Sequence, residues 1–252
     1  MKLSSLFAIS ILLCIFVASF SVLSPVSAAA NLAISGVPNH LKDLDEDLYY
    51  VWGEVRNDGD VPAGSVWITV EFVEYEGFPI AVGGGEPMLS VIHPGETSPF
   101  EIQYSGPEVE EIEDYNFEFE FSPTNALPTG LEIVSNSSDS PGNIVGEIQN
   151  IGTEPTTQIT VAASFYGASG LVGTASTSIP STLDPGENAT FSIALEYSDL
   201  VPEVESYALT AQSQEYAVIP EFPMWISMLL ILITLTVATA IYKRRLLKTP
   251  IH

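Results

Sequence analysis

The chain has 252 residues, and its 32 acidic against 7 basic side chains give a formal net charge of -25. That is enough chain for two domains, and the charge excludes nucleic acid as a partner, because such binding rests on Lys and Arg neutralising phosphates. The one cysteine, Cys14, excludes a disulfide framework, and if the apolar segment that carries it is removed, no thiol is left for a metal site or a nucleophile.

Met1–Ala30 reads as a signal peptide. Lys2 precedes an apolar core from Leu6 to Leu23, and small residues follow at Val26-Ser27-Ala28-Ala29-Ala30. Cleavage after Ala28 or after Ala30 satisfies the small-x-small rule. Cys14 is then lost with the segment.

Between this run and the next apolar one, the only basic residues are Lys42 and Arg56. The middle of the chain is therefore more anionic than the whole, which suits a soluble face outside the cell. Its first acidic cluster is Asp43-Leu44-Asp45-Glu46-Asp47. Asp43, Asp45 and Asp47 could offer hard oxygen ligands to Ca²⁺; the plainer reading is a solvated acidic turn. An EF-hand is excluded, since Leu48 stands where the sharp turn needs Gly.

The middle section is a duplication. Gly53-Glu54-Val55-Arg56-Asn57-Asp58-Gly59 matches Gly146-Glu147-Ile148-Gln149-Asn150-Ile151-Gly152, at an offset of 93. The same offset pairs Val66, Ile68 and Phe72 with Ile159, Val161 and Phe165. Farther on, Pro94-Gly95-Glu96 pairs with Pro185-Gly186-Glu187, Phe100 and Ile102 with Phe191 and Ile193, and Pro107-Glu108-Val109-Glu110 with Pro202-Glu203-Val204-Glu205. The first repeat is placed at 31–122, a linker at 123–130, and the second repeat at 131–213.

Each repeat predicts β structure. Val66, Ile68, Val70 and Phe72 alternate with Trp67, Thr69 and Glu71. Ile159, Val161, Ala163 and Phe165 alternate with Thr160, Ala162 and Ser164, and Phe117, Phe119 and Phe121 with Glu118 and Glu120. A period of two marks strands buried on one face. Asn57-Asp58-Gly59, Gly83-Gly84-Gly85, Pro94-Gly95, Gly167–Gly170 and Asp184-Pro185-Gly186 are expected to be turns or loops. The fold expected is all-β: two tandem immunoglobulin-like β-sandwich domains of about seven strands each, with the signal peptide before them and one transmembrane helix after.

Residues bearing on chemistry are sparse. His40 and His93 each stand alone in turn-rich sequence, and Gly83-Gly84-Gly85 lacks the Lys and helix of a phosphate cradle. No nucleophile or metalloprotease motif occurs, and no enzymatic activity is expected. Two glycosylation sequons begin at Asn136, in a polar Ser/Asp/Pro stretch expected to be a loop, and at Asn188.

A stalk at 214–221 leads to Phe222–Tyr242, 21 residues without a charge. As a helix this run spans ~30 Å, the hydrocarbon thickness of a bilayer. Trp225 and Tyr242 sit near its ends, and Lys243-Arg244-Arg245 opens a basic tail at 243–252. By the positive-inside rule the tail is cytoplasmic, so the expected topology is single-pass type I with an extracellular middle section.

Two family resemblances follow from these residues. The Gly-x-[Val/Ile]-x-Asn strand, the alternating strand ending in Phe-Tyr, the Gly turn and the later Pro-Gly-Glu before Phe-x-Ile resemble FxLYD and CARDB-type bacterial and archaeal adhesion-like domains. Ser164-Phe165-Tyr166-Gly167 and Leu183-Asp184-Pro185-Gly186-Glu187 carry this best. Gly167 stands where the family usually has Asp, and the first repeat has Phe72-Val73-Glu74-Tyr75 instead. The resemblance implies an extracellular structural or binding module and no catalytic residues. Pro220-Glu221-Phe222, the apolar run and the basic tail together resemble the PEF-type C-terminal sorting signals of archaeal surface proteins. That resemblance implies an archaeosortase as partner, which would remove the tail; the plain alternative is an uncut anchor whose prolines mark the helix start. The expected function is a membrane-anchored cell-surface protein of structural or adhesion type, facing an envelope protein or glycan. The alternative is an extracellular ligand- or partner-binding subunit of a membrane transport or sensing assembly.

Overall fold

A computed structural model of the chain describes residues 29–197 and 200–218. The described part is all-β. Its strands are β1 (Leu32–Ile34), β2 (Asn39–Asp43), β3 (Leu48–Asn57), β4 (Ala63–Val73), β5 (Pro79–Gly85), β6 (Val91–Ile92), β7 (Thr97–Ser105), β8 (Asp114–Pro123), β9 (Thr129–Ser140), β10 (Asn143–Asn150), β11 (Ile159–Gly167), β12 (Gly170–Ile179), β13 (Asn188–Ala194), β14 (Ser206–Gln212) and β15 (Ala217–Val218). Two single 3₁₀ turns, Pro107–Glu111 and Val201–Glu203, fall on the two Pro-Glu-Val-Glu copies. Residues 124–128, between β8 and β9, are irregular.

The chain divides into two compact units whose limits do not follow the repeats. Within the described residues, the first holds 29–126, Ser164–Ala175, and 197 with 200–207; the second holds 127–163, 176–196 and 208–218.

In the first unit, β3 is the axis of one four-stranded sheet. β1 and β2 pair with it on separate stretches and β7 runs along it from Leu48↔Ser105 to Arg56↔Thr97. β4 is the axis of a second four-stranded sheet with β5, β6 and β8. The expected alternation explains why the two sheets share a core. Val66, Ile68, Val70 and Phe72 of β4 join Tyr49, Val51 and Val55 of β3 and Phe100 and Ile102 of β7 in one buried cluster. Phe117, Phe119 and Phe121 of β8 pack against it, half-buried, while Glu118 and Glu120 are exposed. Apolar faces turned toward each other between two antiparallel sheets make a sandwich-like arrangement.

β9 to β15 form a seven-stranded sheet in the order β12-β11-β14-β15-β9-β10-β13, in which β15 belongs to the segment expected to be a stalk. Within the second unit, β10 pairs antiparallel with β9 and β13, and β15 pairs parallel with β9. Tyr216 organises this end. Its ring fills the space above Gly130 and Gly152, where a Cβ on either glycine would overlap it. Its hydroxyl accepts the backbone N–H groups of Thr153 (3.2 Å) and Glu154 (3.0 Å).

Four local expectations need correction. Gly83-Gly84-Gly85 is strand, paired with Val70, Thr69 and Ile68 of β4. A Cβ on Gly84 would meet the indole Nε1 of Trp67 at 2.9 Å, so a residue without a side chain is what lets β5 lie beside Trp67. Asn136 is likewise in a strand, β9, opposite Gly146; backbone pairing with β10 outweighs the loop preference of its Ser and Asp neighbours. Ala162 and Ser164 are buried rather than outward and wet, so this part of β11 is covered on both faces. His93 is not alone: its Nδ1 lies 2.7 Å from Glu96 Oε2, across the Pro94-Gly95 turn.

Among the described residues no helix is long and apolar enough to cross a membrane. The expected signal core and the expected span Phe222–Tyr242 lie outside the described residues.

Candidate functional site

The most heavily engaged polar surface in the first unit is the outer face of β3 and β7. Strand geometry puts Tyr50, Trp52 and Glu54 on that face of β3, and Glu101 lies directly opposite Trp52. Trp52 is fully buried there. Its indole N–H donates to Glu101 Oε2 at 3.0 Å, and the hydroxyl of Tyr197 donates to Glu101 Oε1 at 2.8 Å. The rings of Tyr50 and Trp52 stack with centroids 5.8 Å apart, and the Tyr197 ring lies 4.8 Å from each. Glu54 Oε1 accepts the hydroxyls of Ser164 and Tyr166, both at 2.7 Å. Thr174 donates its hydroxyl to the carbonyl of Phe100 at 2.9 Å, and Asn39 Nδ2 donates to the carbonyl of Val172 at 2.8 Å.

The carboxylates of this face hold hydroxyl and indole donors. Both Glu101 oxygens accept a hydrogen bond, and Glu54 is tied to two hydroxyls. Burial, followed by the bond to Glu54 and that carboxylate's charge, drives the Tyr166 phenol far above its ordinary pKa. A phenol that holds its proton so firmly is a donor here and no general base. The arrangement fastens Ser164–Ala175 and Tyr197 over Trp52.

Other titratable groups also serve local structure. Glu96 Oε2 accepts the His93 backbone N–H at 2.8 Å as well as facing its imidazole. In the second repeat Glu187 Oε2 accepts the Asp184 N–H at 3.0 Å with no imidazole in that place. The feature the two copies share is the carboxylate closing the turn, which makes the His–Glu pair an accessory of the turn. His40 stacks on Tyr49 with ring centroids 5.4 Å apart, and burial together with Lys42 lowers its pKa.

The expected metal ligands are spread along the β2–β3 turn. Asp43 Oδ1 accepts the N–H groups of Asp45 (3.1 Å) and Glu46 (3.3 Å), and the carbonyl of Asp47 accepts the Gly106 N–H at 3.2 Å. Asp47 takes a left-handed backbone, φ 53°, to close the hairpin. Among the described residues no group of three or more His, Cys, Asp or Glu side chains stands where it could hold a metal ion.

Both sequon asparagines are exposed. Asn188, at the start of β13, donates its amide to Glu147 Oε1 at 3.0 Å. Asn136 lies on a shallow open concavity over β9, β10 and β13, beside Ser137, Gly146, Phe191 and Ser192. Ala30 packs against the core of the first unit. Ala28, Pro220, Glu221 and Phe222 lie outside the described residues.

No known family model matches the chain, and no curated protein matches it. A solved structure of a calcium-binding mutant of Bacteroides uniformis beta-glucuronidase 2 is 13% identical, with a TM-score of 0.23 over 71% of this chain and 26% of its own. Red sea bream transglutaminase is 9% identical, with a TM-score of 0.22 over 75% of this chain and 29% of its own. The chain thus spans less than a third of either structure. Likenesses this slight carry no argument about function.

Proposed function

We propose that this chain is a membrane-anchored cell-surface protein of structural or adhesion type, displaying two acidic, immunoglobulin-like β-sandwich domains outside the cell. One observation carries the reading: an anionic, all-β segment lies between two charge-free apolar runs, Leu6–Leu23 and Phe222–Tyr242, with the basic cluster beyond the second. The engaged state of Glu54, Glu101 and Glu96 supports a display role over a catalytic one, since each carboxylate is spent on holding the fold. An archaeosortase acting at Pro220-Glu221-Phe222 and glycans on Asn136 and Asn188 belong to the same proposal.

The test is protease added to intact cells expressing the chain with an epitope between the repeats. Loss of the epitope before lysis supports the reading; protection until lysis overturns it. Intact mass from membranes then reports whether Lys243–His252 has been removed, as the sorting reading requires.

A second reading, a partner-binding subunit of a membrane assembly, draws on the apolar side chains at one hairpin. Tyr75, Phe78 and Val82 are 90%, 58% and 62% exposed, and exposed apolar groups gathered together mark contact surfaces. A specific membrane protein recovered by cross-linking from wild-type cells, and missing with Tyr75→Ser and Phe78→Ser, favours that reading.

A further inference from the structure

We infer that the mature chain begins at Ala29, and that the α-ammonium created there docks on the carboxylate of Asp60. This rests on reading Met1–Ala30 as an export signal, and it chooses between the two cuts the sequence allows. A membrane signal peptidase would hydrolyse the Ala28–Ala29 amide. Water adds across the C–N bond, leaving a carboxylate on Ala28 and an ammonium on Ala29.

The argument is what Ala29 and Ala30 already do. The Ala29 nitrogen donates to Asp60 Oδ1 at 2.7 Å, and its carbonyl accepts the Asp60 N–H at 3.1 Å. The Asn31 N–H donates to Asn57 Oδ1 at 3.2 Å, and its carbonyl accepts the Asp58 N–H at 2.7 Å. Ala30 packs on the core and Leu32 is buried. Gly59 makes room for this segment: a Cβ there would collide with the Ala29 carbonyl. The residues from Ala29 onward are therefore part of the fold.

The two cuts have opposite consequences. Hydrolysis after Ala30 deletes both Ala29 bonds and the Ala30 packing, and strips Asp60 of this donor. Hydrolysis after Ala28 keeps every one of these contacts. It also replaces the amide donor to the Asp60 carboxylate with an ammonium, which makes the contact an ion pair, with the nitrogen already at ion-pair distance. Only Lys42 and Arg56 supply side-chain cations to residues 31–218, and Arg56 is engaged with Asp58. A terminal ammonium thus finds an anionic surface with little competition.

Intact mass and N-terminal sequencing of the full chain, exported and purified from membranes, test the first half. A first residue of Ala29 is expected. A start at Ala30 or Asn31 overturns the inference and leaves the export reading standing; a chain that retains Met1 overturns the cleaved-signal reading on which the inference rests. The docking is tested by amine-reactive labelling of the N-terminus near pH 8. A carboxylate neighbour keeps an amine protonated, so Asp60→Asn should speed labelling by about threefold or more. Equal labelling of wild-type and variant overturns the docking.

Discussion

Gly53 and Phe100 lie opposite each other on β3 and β7, and the phenyl ring occupies the volume a Cβ on Gly53 would need. Gly146 and Phe191 repeat the relationship on β10 and β13. The glycine of the repeated Gly-Glu-[Val/Ile] run is thus the seat of the phenylalanine of the later Phe-x-Ile run, in each copy separately.

Gly53→Ala and Gly146→Ala should each destabilise the chain by about 1–3 kcal/mol, the usual cost of forcing extra volume into a packed site. Thermal or urea unfolding measures this. Phe100→Leu combined with Gly53→Ala should recover part of the loss, because the smaller side chain vacates the Cβ position. Full additivity of the two changes would contradict the steric account.

Asn57 and Asn150 are the second duplicated device. Both are fully buried. Asn57 Nδ2 donates to the carbonyls of Val61 (2.8 Å) and Ile92 (2.9 Å), and its Oδ1 accepts the Gly59 N–H at 2.9 Å. Asn150 Nδ2 donates to Glu154 (2.9 Å) and Leu183 (2.8 Å), and its Oδ1 accepts the Gly152 N–H at 2.9 Å. Each side chain replaces missing sheet pairing where the chain leaves its strand. Asn57→Ala strands two carbonyls and the N–H groups of Gly59 and Asn31, and should cost about 2 kcal/mol or more. Asn57→Asp should be at least as damaging, since a carboxylate cannot donate to those carbonyls. An Asp variant as stable as wild type would refute the donor role.

The duplication was legible because its anchors are residues with one specific local task. A buried Asn that pins a turn, a Gly under a ring, and a Pro-Gly-Glu turn with Gly95 and Gly186 at φ 78° and 86° tolerate few substitutes, so they stand out in register. The alternating strands were legible for the same reason: Val66 to Phe72 report burial directly. What stayed hidden depends on partners distant in sequence. Nothing near Glu54 announces Ser164 and Tyr166, and nothing near Trp52 announces Tyr197. Gly83-Gly84-Gly85 carries loop chemistry, and its backbone pairing with Ile68, Thr69 and Val70 on the neighbouring strand makes it strand.

Tyr49 points to a change that should help. Its side chain is wholly buried in the core of the first unit, packed edge-on to Phe72 at 5.3 Å, and its hydroxyl has no hydrogen-bond partner among the described residues. Burial drives its pKa far upward, as an enclosed phenol requires. Tyr49→Phe keeps the ring and removes the stranded hydroxyl, so stability should rise by about 1 kcal/mol. A higher midpoint in urea at unchanged slope is the expected record. A loss of stability would mean the hydroxyl has a partner, such as a buried water.

Glu215 gives the clearest dependence on pH. Its Oε2 accepts the Thr157 N–H at 2.9 Å and the Thr156 hydroxyl at 3.0 Å, and its Oε1 accepts the Thr157 hydroxyl at 2.9 Å. Partial burial opposes ionisation, but these bonds outweigh it and hold the carboxyl below its ordinary 4.5. Between the folded and ordinary values the unfolded chain binds more protons than the folded one. The contribution is therefore complete above the ordinary value and is lost as pH falls through it toward the folded one. Glu215→Gln should be less stable than wild type at pH 7, with the gap closing as pH drops below 4. The many other carboxylates titrate in both proteins, so the difference between the two urea midpoints isolates this group. A gap that stays constant from pH 7 to pH 3 would show that the threonines are held by geometry alone and that the charge of Glu215 contributes nothing.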